Sequence, residues 1–279
     1  MQYTWLAIMV NCALLQMRMI DLDSIDSGQR LGLFRMLAKK LRDDGILSYA
    51  CDGLYTELRA SFLDDRFECI FQECISADTR SCLGDFQDIR DKAFRWRLHI
   101  LLQAAQYAIK PGALFLDLGC GSGMIGSALL KLLSFDFLSN NISYHMFDSF
   151  EGPKPDDTTA TNFYDSADGA FEMASRVASR YSECVKLHRG YLPHALVELD
   201  VHQLEKVSFI SLDLNSAKPE IGSLRYLIDH LLPGCVIVLD DFGFPGSIEQ
   251  NVQHRQFCAD RGLPLFHLPT GQGLILIGE

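Results

Sequence analysis

Aspartates recur in this sequence where short apolar runs end. Asp117 follows Ala113-Leu-Phe-Leu, Asp148 follows Ser143-Tyr-His-Met-Phe, Asp213 follows Val207-Ser-Phe-Ile-Ser-Leu, and Asp240-Asp241 follow Cys235-Val-Ile-Val-Leu. Carboxylates are poor residues to bury unless they are paired, hydrogen-bonded or bound to a metal. Beyond Asp117 come alternating glycines, Gly119, Gly121 and Gly123. Such glycines let the backbone turn sharply and approach a ligand where any Cβ would collide. Met124 to Leu133 then reads as a helix whose first N–H groups face the bound molecule. A strand, a glycine turn and a helix make a nucleotide-binding corner, with a set of acids nearby.

Two ligands suit this corner. Gly121-Ser-Gly123-Met-Ile-Gly126 matches the dinucleotide pattern G-x-G-x-x-G. The second ligand is S-adenosylmethionine (SAM), bound by an acid at the strand end followed by G-x-G-x-G. Asp117 favours SAM, because a carboxylate there would repel a pyrophosphate but accept hydrogen bonds from an ammonium group. Asp148 can take both hydroxyls of a ribose, a role that serves either ligand. Ser149 to Ser166 reads as a long polar loop, and its aromatics Phe150, Phe163 and Tyr164 could shield a cofactor from water. His188 to Gly190 close a further strand.

The elements that must position these residues alternate strand and helix after Gly112, the signature of a doubly wound sheet. Expected strands are 113–118, 143–147, 184–188, 207–212 and 235–239. A final pair, 264–267 and 274–277, flanks Pro269-Thr-Gly-Gln-Gly273; joined too tightly for a helical crossover, it reads as an antiparallel hairpin at the sheet edge. The expected architecture is α/β, with a doubly wound, seven-stranded, mostly parallel sheet in residues 111–279. Residues 1–110 read as an all-helical region forming an acceptor pocket or a dimer interface. Its expected helices are Ser27–Arg42, Leu54–Leu63, Phe67–Ile75 and Asp85–Ile109, the last with Phe94, Leu98, Leu101, Ala105 and Ile109 on one face. Arg95-Trp96-Arg97 and His99 read as a solvated helix face with one buried Trp. The apolar stretch Met1–Ile20 has no basic start and is interrupted by Asn11 and Gln16, so it reads as a helix packed on its own domain or on a second subunit.

Composition narrows the classes. The 279 residues carry a formal charge of −11 and no basic run, which argues against nucleic acid as a partner. Nine cysteines without framework spacing point to a reducing, cytoplasmic setting, and the absence of a C-x-x-C pair argues against a zinc site. No membrane partner is expected. In a SAM-binding strand order the strands ending at Asp213 and Asp240-Asp241 are neighbours, so these acids converge. Their repulsion would raise one another's pKa values. A hard divalent cation, Mg²⁺ foremost, would resolve the conflict. The alternative is that one acid holds the cofactor amine while the others cap helices.

From about Arg95 to its end the chain resembles class I SAM-dependent methyltransferases, and among them the macrocin O-methyltransferase (TylF-like) family. The matching stretches are Asp117-Leu-Gly-Cys-Gly-Ser-Gly123, Phe147-Asp-Ser-Phe-Glu-Gly152, Ser211-Leu-Asp-Leu-Asn215, Leu232-Pro-Gly234 with Leu239-Asp-Asp-Phe-Gly243, and Pro269-Thr-Gly-Gln-Gly273. The resemblance implies Mg²⁺-assisted methyl transfer to a hydroxyl of a sugar or other small natural product. Asp213, Asp240 and Asp241 would be metal ligands; Asp117, Gly119, Gly121, Gly123, Asp148, Ser149, Phe150 and Gly190 would hold the cofactor. Thr270 and Gln272, at the active edge of the sheet, would meet the acceptor; a glycine-rich hairpin with no such role is the alternative. One departure matters. The family places a general base two or three residues after the first metal ligand, and here those positions are Asn215 and Ser216, neither a useful base near neutral pH. The catalytic set is therefore read as Asp213 and Asn215, with His188 a candidate base by chemical type, as are Glu220 and His254. Two other readings stay open: an NAD-dependent oxidoreductase, and a catalytically silent SAM-binding protein.

Overall fold

A computed structural model of the chain describes residues 47–50, 53–56, 65–77, 87–152, 154, 157, 169–243 and 248–278. Residues 49–279 form one compact unit. The expected helix at Ser27–Arg42, the apolar segment Met1–Ile20 and most of the loop 149–166 lie outside the described residues.

Two short strands, β1 (Leu47–Ala50) and β2 (Gly53–Thr56), pair as a separate two-stranded sheet. The first 110 residues are therefore not all-helical, and the helix expected from Leu54 begins instead as a strand. The local signal is the Asp52-Gly53 pair, turn chemistry set between Leu47-Ser-Tyr-Ala and Leu54-Tyr-Thr, whose Tyr and Thr favour strand. Helices α1 (Asp65–Ala77) and α2 (Gln87–Tyr107) fall where helical spacing places them.

The main sheet has seven strands: β3 (Leu114–Leu118), β4 (Ser143–Asp148), β5 (Val185–Arg189), β6 (Val207–Leu212), β7 (Val236–Leu239), β8 (Leu265–His267) and β9 (Gly273–Leu276). Their spatial order is β5-β4-β3-β6-β7-β9-β8, and only β9 runs antiparallel to its neighbours. Helices α3 (Met124–Ser139), α4 (Ala170–Arg180), the one-turn α5 (Val201–Leu204), α6 (Ala217–Leu227) and α7 (Ile248–Arg261) fill the connections. The hairpin expected at the sheet edge is β8–β9.

Side chains alternate across β3, as a strand requires. Leu114, Leu116 and Leu118 enter one core with Ile210, Leu224, Ile237 and Phe257, while Phe115 enters the other with Leu98, Leu101, Leu129, Phe137 and Phe209. Both faces of the central strands are thus covered, which is why they read as nearly continuous apolar runs. Helices α1 and α2 supply Phe67, Phe71, Leu98, Leu101, Leu102 and Ala105 to the Phe115 core. Ser208 Oγ donates to the carbonyl of Ala108 at 2.8 Å, fixing the end of α2 beside β6.

Phe115 is fully buried, with Phe137 and Phe209 ring centroids 5.0 and 5.1 Å away. Replacing it with Ala should lower the unfolding free energy by about 3–5 kcal/mol, read from the urea midpoint at unchanged slope.

Candidate functional site

The parallel register carries the acids to one rim. Leu118 pairs with Phe147 on one side and Leu212 on the other, and Leu212 pairs with Leu239. The next residues outward are Asp148, Asp213 and Asp240. Asp213 N–H donates to the Leu118 carbonyl at 2.9 Å, and Asp240 N–H to the Leu212 carbonyl at 3.0 Å, so the ladder continues to the acids themselves.

At the glycine turn the backbone comes very close to β6. Gly119 has φ +94°, and a Cβ there would lie 1.9 Å from the carbonyl oxygen of Asp213. Gly121 and Gly123 also adopt positive φ, and Gly123 caps α3 without any side-chain hydrogen bond. Asp117 sits one residue inside the turn, fully buried. Tyr144 Oη donates to its Oδ2 at 2.7 Å, whereas Oδ1 has no partner among the described residues. Burial first, then the charges of Asp148 and Asp240, push its pKa up to about 7 against the lowering by Tyr144. Asp148 Oδ2 accepts the Gly121 N–H at 2.8 Å and Oδ1 accepts the Phe150 N–H at 2.7 Å. Each oxygen keeps a second lone pair. Burial raises the pKa of Asp148, opposed by these peptide donors. Phe150 is buried at φ +55°, its ring edge-on to Phe171 at 5.1 Å, and Ser149 Oγ accepts the Glu151 N–H at 3.2 Å. Gly190 N–H closes the rim by donating to the Asp148 carbonyl at 2.9 Å.

Asp213 feels the charges of Asp240 and Asp241, but a side chain read as solvated meets the latter two. Arg97 of α2 donates from Nη2 to Asp240 Oδ2 at 2.5 Å and to Asp241 Oδ1 at 2.9 Å. It also reaches the Asp240 carbonyl at 2.7 Å, and its Nε lies 3.3 Å from Asp240 Oδ1. The available signal was phase: Arg97 is four residues before Leu101 and so lies on the core-facing stripe of α2. Asp213 is half-buried and receives the Asn215 Nδ2–H at 3.2 Å on Oδ1. Burial, then Asp240 and Asp241, raise its pKa, with Arg97 opposing. Asn215 holds φ +53°, a conformation Asn tolerates better than most residues.

The expected metal set fails a test of fit. Among the described residues no group of three or more His, Cys, Asp or Glu side chains is disposed to hold a metal ion. The reason is visible: the Asp240 and Asp241 oxygens are turned onto a guanidinium.

Several other assignments change. Gln272 lies level with Asp240 but is fully buried. Its Nε2 donates to Asp240 Oδ1 at 3.0 Å and to the Arg97 carbonyl at 3.3 Å, while its Oε1 accepts the Thr270 hydroxyl at 3.0 Å. These two residues hold Asp240 in place, rather than presenting free groups to an acceptor. His188 is on β5, three strand spacings or about 14 Å from β6. Its ring stacks on Phe147 at 4.3 Å and bridges His145 Nδ1 at 3.1 Å and Glu198 Oε2 at 2.5 Å, so it is not brought to the acids. Ser216 donates to Asp157 Oδ2 at 2.5 Å. Trp96 is half-buried, edge-on to His99.

Glu220 and His254 form a buried pair beneath the rim. Burial pushes Glu220 up to about 8 and His254 down to about 4, so near neutral pH both are largely uncharged. His254 Nδ1–H donates to the Gln250 carbonyl at 2.7 Å, and its Nε2 lies 3.3 Å from Glu220 Oε2. Glu220 Oε1 accepts from Leu214 N–H at 3.0 Å and from Gln250 Nε2 at 2.9 Å. Glu220 thus braces the turn that carries Asp213 and is no general base.

A scan against protein-family models finds no match. A search of curated proteins finds none either. Solved structures do match. One is the crystal structure of CalS11, a calicheamicin methyltransferase, with TM-score 0.59, 13% identity, and coverage of 81% of this chain and 96% of that one. Another is the apo structure of CalS11, a TDP-rhamnose 3'-O-methyltransferase of calicheamicin biosynthesis, with TM-score 0.55, 13% identity, and coverage of 81% and 98%. This likeness shows the fold: a Rossmann-like class I methyltransferase sheet.

Because the folded-state pKa of Glu220 is raised, its contribution to stability is present in full below the ordinary value of 4.5 and is lost as pH rises through about 8. Glu220→Gln preserves the hydrogen bonds but cannot ionise. Its unfolding free energy should overtake wild type by a few kcal/mol (order of magnitude) between pH 5 and 9, measured by urea denaturation; parallel pH profiles would refute a protonated Glu220.

Proposed function

We propose that this protein is a SAM-dependent O-methyltransferase acting on a hydroxyl of a sugar or another small natural product. The carrying observation is Asp117: a fully buried carboxylate beside the glycine turn, with one oxygen lacking a partner among the described residues. An uncompensated carboxylate there suits a ligand bearing an ammonium group and disfavours a pyrophosphate. This is what sets SAM ahead of a dinucleotide, although Gly121 to Gly126 fits both patterns. The class I methyltransferase fold agrees with this choice, and the motif resemblance to the macrocin O-methyltransferase family supplies the acceptor class.

SAM would supply a methyl group on a sulfonium, already activated for transfer. The chain would contribute binding and orientation. Asp117 would take the ammonium. Asp148, oriented by two peptide N–H groups, would use its remaining lone pairs for the ribose hydroxyls. Gly119 and Gly121 would let the backbone approach, and Ser149, Phe150 and Gly190 would border the adenosine. Asp213, oriented by Asn215, would accept the hydrogen bond of the acceptor hydroxyl, hold its oxygen in line with the methyl group, where proximity gives much of the rate, and take up its proton as the methyl–sulfonium bond breaks. No step is assigned to a divalent cation, since the acids do not fit one.

Titration calorimetry with SAM and with NAD tests the reading. SAM should bind and NAD should give no heat. Asp148→Asn should weaken SAM at least tenfold, about 1.4 kcal/mol or more. Since Asp117 titrates near 7 and a cationic ligand prefers it ionised, SAM affinity should rise from pH 6 toward neutral and fall again above about pH 8, where the ligand's own α-ammonium deprotonates. Asp117→Asn should bind more weakly, with that rise abolished. Binding of NAD by a protein silent to SAM would reverse the assignment.

A further inference from the structure

Arg97 donates to carboxylate oxygens of Asp240 and Asp241 that a metal would need. Asp240 Oδ1 accepts Arg97 Nε at 3.3 Å and Gln272 Nε2 at 3.0 Å, and Oδ2 accepts Arg97 Nη2 at 2.5 Å. Asp241 Oδ1 accepts the same Nη2 at 2.9 Å. The side chains of Arg97, Asp240 and Asp241 are only 10–12% exposed, so water screens the charges weakly. A magnesium ion demands oxygen ligands at about 2.0–2.1 Å in near-octahedral array. To enter here it would have to displace the guanidinium or lie against it, placing a dication beside a fixed positive charge.

The guanidinium is also held from behind. Gln272 Nε2 donates to the Arg97 carbonyl at 3.3 Å while its other contact is Asp240, so one amide joins the helix that carries the cation to the strand end that carries the acid. Thr270 fixes the orientation of that amide through its Oε1. Leu98, Leu101 and Leu102, the next residues of α2, are buried in the core, which anchors the helix.

We propose that Arg97 is the resident cation of this acidic rim: it stands where a divalent ion would otherwise neutralise Asp240 and Asp241, and it makes the site independent of metal. Arg97 is a positioning residue in this scheme. It fixes the two aspartates from α2 and leaves Asp213 to meet the acceptor. Since a guanidinium stays charged throughout the physiological range, the neutralisation responds neither to metal supply nor to pH. The claim about metal binding stands on the geometry alone; the claim that methyl transfer is metal-independent rests on the function proposed above.

The test uses Mn²⁺ as a spectroscopic stand-in for Mg²⁺ on the full chain, with free Mn²⁺ followed by electron paramagnetic resonance. Wild type should leave the free signal undiminished at equimolar and tenfold excess Mn²⁺. Arg97→Met should bind one equivalent, and Mn²⁺ should raise its Tm by a few degrees while leaving that of wild type unchanged. Arg97→Lys, which keeps a positive charge, should stay silent to Mn²⁺. Stoichiometric Mn²⁺ binding by wild type that is lost in Asp240→Asn would overturn the proposal, as would a folded Arg97→Met that remains silent. If Arg97→Met does not fold, the wild-type titration decides. SAM calorimetry on the same preparation, with and without EDTA, separates the two claims. Equal SAM affinity, and methyl transfer that survives EDTA, are expected. Failure to bind SAM would defeat the methyltransferase reading but leave the Mn²⁺ result standing, whereas transfer abolished by EDTA and restored by Mg²⁺ would defeat the metal-independent site.

Discussion

Six acids gather at or just beneath the carboxyl ends of the central strands, in surroundings too dry to leave them all ionised and unpaired. They are accommodated in different ways, Asp148 by the peptide N–H groups of Gly121 and Phe150. Asp240 and Asp241 share Arg97. Glu220 stays protonated near neutral pH, with His254 beside it. Asp117 is caught midway, with its pKa near 7 and a single hydrogen bond from Tyr144. Asp213, half-buried, has Asn215 on one oxygen and feels the neighbouring carboxylates. The local geometry of the rim follows from these accommodations: the buried Gln272, the bracing of the Asp213 turn, and the inward turn of an arginine.

Much of this architecture was legible because period and apolarity rarely mislead in a doubly wound sheet. Short β-branched runs such as Val236-Ile-Val-Leu, bounded by turn residues, read as strands covered on both faces, and the close approach of Gly119 to the Asp213 carbonyl explains why glycine stands there. Tight spacing around Pro269 gave away the hairpin of β8 and β9. What the sequence hid was pairing across distance. Arg97 lies 143 positions before Asp240, and no local pattern says which acid an arginine will meet. The charge conflict among the three aspartates was evident; whether a metal or a side chain would settle it was not. Gln272 misled for the same reason, since its level on the sheet could be read but not the direction of its amide. β1 and β2 are too short for either period to declare itself, and Leu54 to Thr56 also fits the start of a helical pattern.

The two aspartates after β7 bear on how α2 relates to the site. A helix that merely covered a sheet would contribute apolar side chains, as Leu98, Leu101 and Ala105 do. Here the same helix delivers the charge that makes Asp240 and Asp241 tolerable, and the residues on the two sides of that contact are held by Gln272. Losing the helix would therefore cost the rim more than cover. It would leave two carboxylates buried with no cation, which is more destabilising than the loss of their pairing energy suggests.

The missing base follows the same logic. A residue placed two positions after Asp213 can serve as a base only if it can ionise and if its neighbours let it hold a proton. At this position Asn215 adopts a left-handed backbone and turns its amide onto Asp213, donating a hydrogen bond instead of competing for one. A further carboxylate there would add another negative charge to three aspartates that already have a single guanidinium among them. An asparagine keeps the shape of that side chain without its charge, and it leaves Asp213 as an oriented acceptor. Asn215 and Arg97 thus answer one constraint: the amount of negative charge this edge of the sheet can carry.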